Sequence, residues 1–393
     1  MGRELWTDTF LDGMRHATDE VADTVVAAVY ESGRLDAVNR LLTGMLQSDA
    51  APPEGTPEVV YRYLQDTAAL PDWADPEKVH RAEHLFSQHG LLASAILCCA
   101  SLPECYLDKD GVPALASTQR LKEHVYRRIW ETSHMVISVM QPGGLARGGD
   151  GVRACQRVRL MHAAIRQLLL SQGVPVGTDD QLGHELAAMP WDTAKLGKPL
   201  NEEDMAYVLL TFSYVGVRGL ETLGVEVPDA EREAYVHAWN VVGHLMGIRR
   251  GMMAESYEDA RWLFEKIKAR RKGESPDGKA LTKALMEWMD EILPPLLKNV
   301  PELLICELIG KDDAALLGVR RGVFARIEEN VLRTALRAIT DLTGDAFEDV
   351  PLTRHAAEVL FRLLVKRIWR MDRQWHRELF AIPPALQQSW RLG

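Results

Sequence analysis

Through most of the chain, apolar residues return at intervals of three and four, the spacing that lines one face of a helix, and the strict alternation of a half-buried strand is scarce. The pattern predicts an all-α protein. Residues 19–47 read as two short amphipathic helices, followed by a proline-rich joint over 51–58. Helices are expected over 58–66, 76–87 and 88–102. Asp75 before Pro76 and Glu77 supplies a cap, a proline-tolerant first position and a favourable N-terminal charge. Residues 107–115 read as a loop. A helix is expected over 116–140, closed by Gln141-Pro142-Gly143-Gly144, and another over about 152–171, ended by Gly173 and Pro175. The glycine-rich stretch 142–151 between them has neither phosphate-binding glycine pattern and reads as a flexible connector. Residues 174–200 read as a loop. Asn201, followed by Glu202, Glu203 and Asp204, marks a capped helix start. Further helices are expected at 229–247, 256–271, 278–292, 299–309, 318–343 and 353–379. The charge run Lys266 to Lys272 reads as a solvated helix face.

At 393 residues the chain exceeds an ordinary single-core domain. It divides into an N-terminal helical segment (1–115), a helical core carrying the candidate chemistry (116–250) and a C-terminal helical segment (251–393), expected to fold as one continuous globular unit. A net charge of -10 argues against a nucleic-acid binder, which wants a basic stripe, and suits a small or neutral ligand. The five cysteines, Cys98, Cys99, Cys105, Cys155 and Cys306, form no paired CxxC sets. They read as core thiols in a reducing compartment, with no zinc site or disulfide framework. No basic-then-apolar leader opens the chain, and runs such as 91–100 fall short of the ~20 residues that span a bilayer. The expectation is a cytoplasmic protein without an integral membrane segment. Its oligomeric state is not legible.

Candidate chemistry centres on the helix near 152–171. Arg159, His162 and Arg166 stand at i, i+3 and i+7, which at ~100° per residue places them within about 60° of arc on one face. Spacing alone suits an exposed basic face equally well. Leu160, Met161, Ile165 and Leu168 to Leu170 make the helix apolar nearly all round and argue for burial. Buried guanidiniums want an anionic ligand. Haem fits, with imidazole on the iron and arginines on the propionates. One helix earlier, Arg128, Glu131 and Thr132 share a face at i, i+3 and i+4. They make either an ordinary surface ion pair worth ~0.3–0.5 kcal/mol or, above a haem, a carboxylate able to move protons. His237 and His244, at i and i+7, are too far apart for the i+4 metal pair of a zincin helix. No GxSxG or HExxH motif points to a hydrolase.

RVRLMHAAIR resembles the Arg-x-x-His-x-x-x-Arg motif of the latex-clearing protein family, in which the histidine is the proximal ligand of haem b and the arginines lie near the haem. The resemblance implies that His162 binds iron, with Arg159 and Arg166 near the cofactor. The family's distal Arg-x-x-Lys-Thr pattern reads here as Arg128-Ile129-Trp130-Glu131-Thr132, with Glu131 replacing the lysine. Pro199-Leu200-Asn201-Glu202-Glu203-Asp204 and the Trp239, Gly243, Gly247 series resemble two further family segments. An all-α bundle, globin-like in its haem-binding core, is implied. So is a haem b-dependent oxygenase that cleaves an apolar, isoprenoid or otherwise unsaturated substrate with dioxygen. Arg128 and Thr132 would orient the distal pocket, and Glu131 would ligate iron or accept a proton. A haem enzyme of different chemistry (hydroxylation, peroxidation or dehydration) and a non-catalytic haem or gas-binding protein are the alternatives.

Overall fold

Caps and breakers explain where each helix begins. The computed structural model of the chain describes residues 2–31, 57–117, 122–171, 189–293, 298 and 300–320. Its N-terminal helices are α1 (Gly2–Leu5), α2 (Asp8–Met14), α3 (Glu20–Glu31) and α4 (Glu58–Asp66). Next comes α5 (Pro76–Ile96), started by Asp75, whose side chain accepts from the amides of Glu77 and Lys78. The two helices expected over 76–102 are one rod. It kinks at His89, where φ is -118° and ψ is 21°, close to the expected break. It continues through a π turn, Leu97–Ser101, into α6 (Leu102–Leu107). The wider turn lies immediately before Pro103, whose ring would crowd the carbonyl four residues back in a regular helix.

The expected loop at 107–115 shrinks to a turn at 108–111, because α7 starts at once (Val112–Ser117). The central pair is α8 (Lys122–Met140) and α9 (Asp150–Leu170). After the short α10 (Thr193–Leu196) come α11 (Glu202–Phe212), α12 (Tyr214–Thr222) and α13 (Asp229–Leu245). The described chain ends with α14 (Tyr257–Arg271), α15 (Pro276–Ile292), α16 (Val300–Ile309) and α17 (Lys311–Leu316). No strand occurs among the described residues, where β pairing is limited to an isolated bridge between Asp108 and Lys272. The expected all-α architecture holds. The second helix expected within 19–47, most of the loop at 174–200 and the helices expected at 318–343 and 353–379 fall wholly or largely outside the described residues.

The main core is continuous from Trp6 on the N-terminal arm to Val319 and draws on all three stretches of sequence. Its axis is α13 laid along α5. Trp239 of α13 is buried and stacks on Phe212 of α11 at 5.0 Å, worth roughly 0.5–1.5 kcal/mol beyond its area. A satellite core joins α3 and α4 to α9 through Val25, Val26, Val60, Leu160 and Ala163. One helical stretch, Pro76–Leu107, is long and apolar enough by composition to cross a membrane, although no single apolar run is. Inside this fold, 83% of its most apolar 18-residue window is buried. All five cysteines are buried and none forms a disulfide within the chain.

The charge run at 266–272 is not a solvated face. Lys268 and Arg271 are buried. Arg271 pairs with Asp108, Glu203 and Asp204, while Lys268 pairs with Glu104 and Asp313. Arg270 reaches Asp8, Asp12 and Glu203. Long basic stems span apolar surface readily, and guanidinium satisfies several carboxylates at once. The acidic first turn of α11, expected only to favour a helix start, supplies two of those carboxylates.

Candidate functional site

The site is built on the hairpin of α8 and α9. The segment between them is a tight turn, where a flexible connector was expected. Gly143 and Gly148 take φ of +77° and +75°. A Cβ on Gly151 would lie 2.7 Å from the Cα of Val139 and 2.8 Å from the carbonyl of Ser138. Glycine here lets the two helix backbones touch. At 1.5 Å rise per residue, this antiparallel register brings Arg128 level with His162, and Glu131 and Thr132 level with Arg159 and Val158. Only the helical position of Arg128 is described. Glu131 and Thr132 are both half-buried.

His162 is half-buried and lines a narrow, partly open cavity with Arg159, Arg166, Leu200, Met205, Met246 and Ile248. Asp19, Asn201, Glu202 and Gly247 complete the wall. Arg159 and Arg166 are both buried, as expected for a helix buried nearly all round. Each already has protein partners. Arg159 donates from Nε and Nη2 to the two oxygens of Asp19, at 2.5 and 2.7 Å. Burial opposes its charge, but the Asp19 carboxylate outweighs this and holds the guanidinium above its ordinary pKa. Arg166 donates to Asp23 at 2.5 Å and to the carbonyls of Pro199 and Leu200 at 3.1 and 3.0 Å.

The loop side of the cavity is fixed by local chemistry. Asn201 and Asp204 form a reciprocal capping box at the start of α11. Leu200, immediately before it, has a φ of +53°. That left-handed conformation costs a side-chain-bearing residue roughly 1–3 kcal/mol, and such strain clusters at functional sites. Here it turns the 199–200 carbonyls onto Arg166. Glu202 is buried beside Arg249, accepting its amide at 2.9 Å, and burial pushes its carboxyl pKa up against that favourable contact.

Toward a haem the wall offers one imidazole and the apolar side chains of Leu200, Met205, Met246 and Ile248, while the guanidiniums on both sides of His162 are already engaged by Asp19 and Asp23. Sequence reasoning missed Asp19, Asp23 and Ile248, and took Glu202 only as part of a family-like helix start. The available signals were Gly247 in its tryptophan–glycine series and the i, i+4 pair of aspartates opening α3. His237 and His244 of α13 are not among the residues that line this cavity, and pack their rings edge-on against Trp73, at 5.7 and 6.2 Å. Among the described residues, no cluster of three or more His, Cys, Asp or Glu side chains could hold a metal ion.

The chain is 24% identical over 284 residues to the rubber oxygenase of Streptomyces sp. (strain K30). That similarity covers 70% of this chain and 64% of the relative, so the chain spans less than two thirds of the relative's length. Its fold is similar to that of latex clearing protein LCP in the closed state, with a TM-score of 0.70 and 21% identity. The match covers 88% of this chain and 90% of that one. Residues 88–341, which include Arg128, Glu131, Thr132, Arg159, His162 and Arg166, match a catalytic domain described as ER-bound oxygenase mpaB/B'/Rubber oxygenase. The chain belongs to that family.

Proposed function

We propose that this chain is a haem b-dependent oxygenase acting with dioxygen on an apolar substrate, isoprenoid or otherwise unsaturated. The carrying observation is His162 on the wall of a half-apolar cavity, between two buried arginines, inside the family-matched stretch. His162 would hold the iron through its imidazole. Bound haem supplies the redox chemistry by which oxygen adds across a carbon–carbon double bond, giving carbonyl products. Arg159 and Arg166, each paired with its own aspartate, would frame the imidazole along α9 near the cofactor. On the neighbouring helix, Arg128 and Thr132 would orient the distal pocket. Glu131 would ligate the iron or take up a proton.

Glu131 at the position of the family's distal lysine favours a second reading, in which the same cofactor serves hydroxylation, peroxidation or dehydration of another small apolar compound. Dioxygen uptake and product analysis on isoprenoid oligomers separate the two. The first test is the absorption spectrum of the full chain reconstituted with haem b, oxidised and reduced, beside His162→Ala. A Soret band that His162→Ala abolishes is expected. A wild-type chain that takes up no haem would overturn the proposal.

A further inference from the structure

The two arginines that flank His162 by three and four residues are held by one helix from outside the matched catalytic stretch 88–341. Asp19 and Asp23 are one turn apart at the start of α3, and they grip Arg159 and Arg166 respectively. Asp19 also accepts the amide of Ala22 as the α3 cap, which fixes its carboxylate before it meets Arg159. The opposite wall is shaped around the same pair. Gly247, with a φ of +84°, has its missing Cβ position 2.4 Å from Asp19 Oδ2 and 2.6 Å from Arg159 Nε. No larger residue fits there while the pair stands. Three separate segments thus converge on two ion pairs that straddle His162 along α9.

We infer that Asp19 and Asp23 are positioning residues for His162, and that the N-terminal arm completes the site that the matched catalytic stretch carries. Through Arg159 and Arg166 they clamp α9 on either side of the imidazole, setting its direction and its access to solvent. The inference deepens the proposed role of His162 and rests on that reading for its functional meaning. Its geometric content is testable without any cofactor.

The test uses the full chain without cofactor and reads the rate at which diethyl pyrocarbonate modifies His162, followed by peptide mass spectrometry. The variants are Asp23→Asn, Asp19→Asn/Asp23→Asn and Asp23→Glu. Asp12→Asn is the control, because it loosens the same arm at Arg270 without touching α9. Asp23→Asn is the safer variant, since Asp23 is partly exposed and Arg166 keeps the Pro199 and Leu200 carbonyls. A several-fold faster reaction at His162 in both asparagine variants is expected, with Asp12→Asn at the wild-type rate and Asp23→Glu restored towards it. An unchanged rate in folded Asp23→Asn, or an equal rise in Asp12→Asn, would overturn the inference. In the haem-loaded protein, a shifted Soret band and midpoint potential in Asp23→Asn but not in Asp12→Asn are expected. Failure of the wild type to take up haem would count against the proposed function and leave the reactivity comparison to decide this inference.

Discussion

Lys268 and Glu104 form an ion pair 2.7 Å long at a place where Glu104 has no exposed surface. Arg218 approaches the same carboxylate at 2.8 Å, so one buried glutamate balances two cations on α12 and α14. Removing one partner of such a pair leaves a charge stranded away from water, which costs about 3–5 kcal/mol. Glu104→Leu leaves Lys268 with Asp313 but takes the carboxylate from Arg218, and should lose stability of up to that order in urea unfolding. Lys268→Met should lose less, because Glu104 keeps Arg218. Equal losses would show that the pair acts independently of its neighbours.

That network marks where sequence reading stops. Helix starts were legible because caps are local: Asp75 before Pro76, and Asn201 three residues before Asp204, need no tertiary context. The shared face of Arg159, His162 and Arg166 was legible because a fixed helical period converts spacing into direction. Burial of Lys268 and Arg271 was not, since their carboxylates arrive from Glu104, Asp108, Glu203 and Asp204, more than sixty residues away in the chain. Locally, Lys266 to Lys272 has the composition of a wet surface. The same limit hid Asp19 and Asp23 as the partners of the motif arginines. The 142–151 segment failed differently. Glycine in a sequence suggests freedom, whereas Gly151 is there because two backbones meet.

Asp108 and Glu203 make stability depend on pH. Burial pushes both carboxyl groups above their ordinary range, and the nearby Arg271 guanidinium only partly offsets it. A carboxyl group whose folded pKa is raised binds more protons folded than unfolded. Its contribution is therefore largest below the unfolded value of about 4 and is lost as pH rises through the folded value. Asp108→Asn should flatten the fall in stability from mildly acidic to neutral pH. Urea midpoints at pH 5 and pH 7 check this, and an unchanged slope would remove Asp108 as its source.

His237 acts in the opposite sense. Its Nε2 accepts the amide of Asp75 at 2.8 Å, which only the ring without a proton on that nitrogen can do. Burial, then Lys78 nearby, lowers its pKa. A histidine lowered on folding contributes fully above its unfolded pKa of about 6.5 and loses that contribution as pH falls below it. Amide exchange over residues 75–78 at the start of α5, corrected for intrinsic rates, should speed up between pH 7.5 and 5.5. In His237→Phe it should be fast at both. Protection unaffected by pH in the wild type would mean that the capping side chain of Asp75 holds this turn without His237.

The hairpin glycines separate backbone conformation from backbone contact. Gly148 has a φ of +75° and open space around it, so Gly148→Ala should cost about 1–2 kcal/mol, the penalty of a left-handed alanine. Gly151 is the second residue of α9, where alanine is favoured by at most the roughly 1 kcal/mol of a helix interior. Its new methyl, however, would lie 2.7 Å from the Cα of Val139 and from the Gly144 carbonyl oxygen. Neither is the end of a flexible side chain, so α8 and α9 must separate, and overpacking of this kind costs about 1–3 kcal/mol. Separation would also disturb the register that sets Arg128 level with His162. Gly151→Ala should therefore lower the urea midpoint and raise the reactivity of His162 together, whereas Gly148→Ala lowers the midpoint alone. If Gly151→Ala proves more stable than wild type, helix propensity has outweighed the contact, and the close approach of the two helices is not what fixes the site.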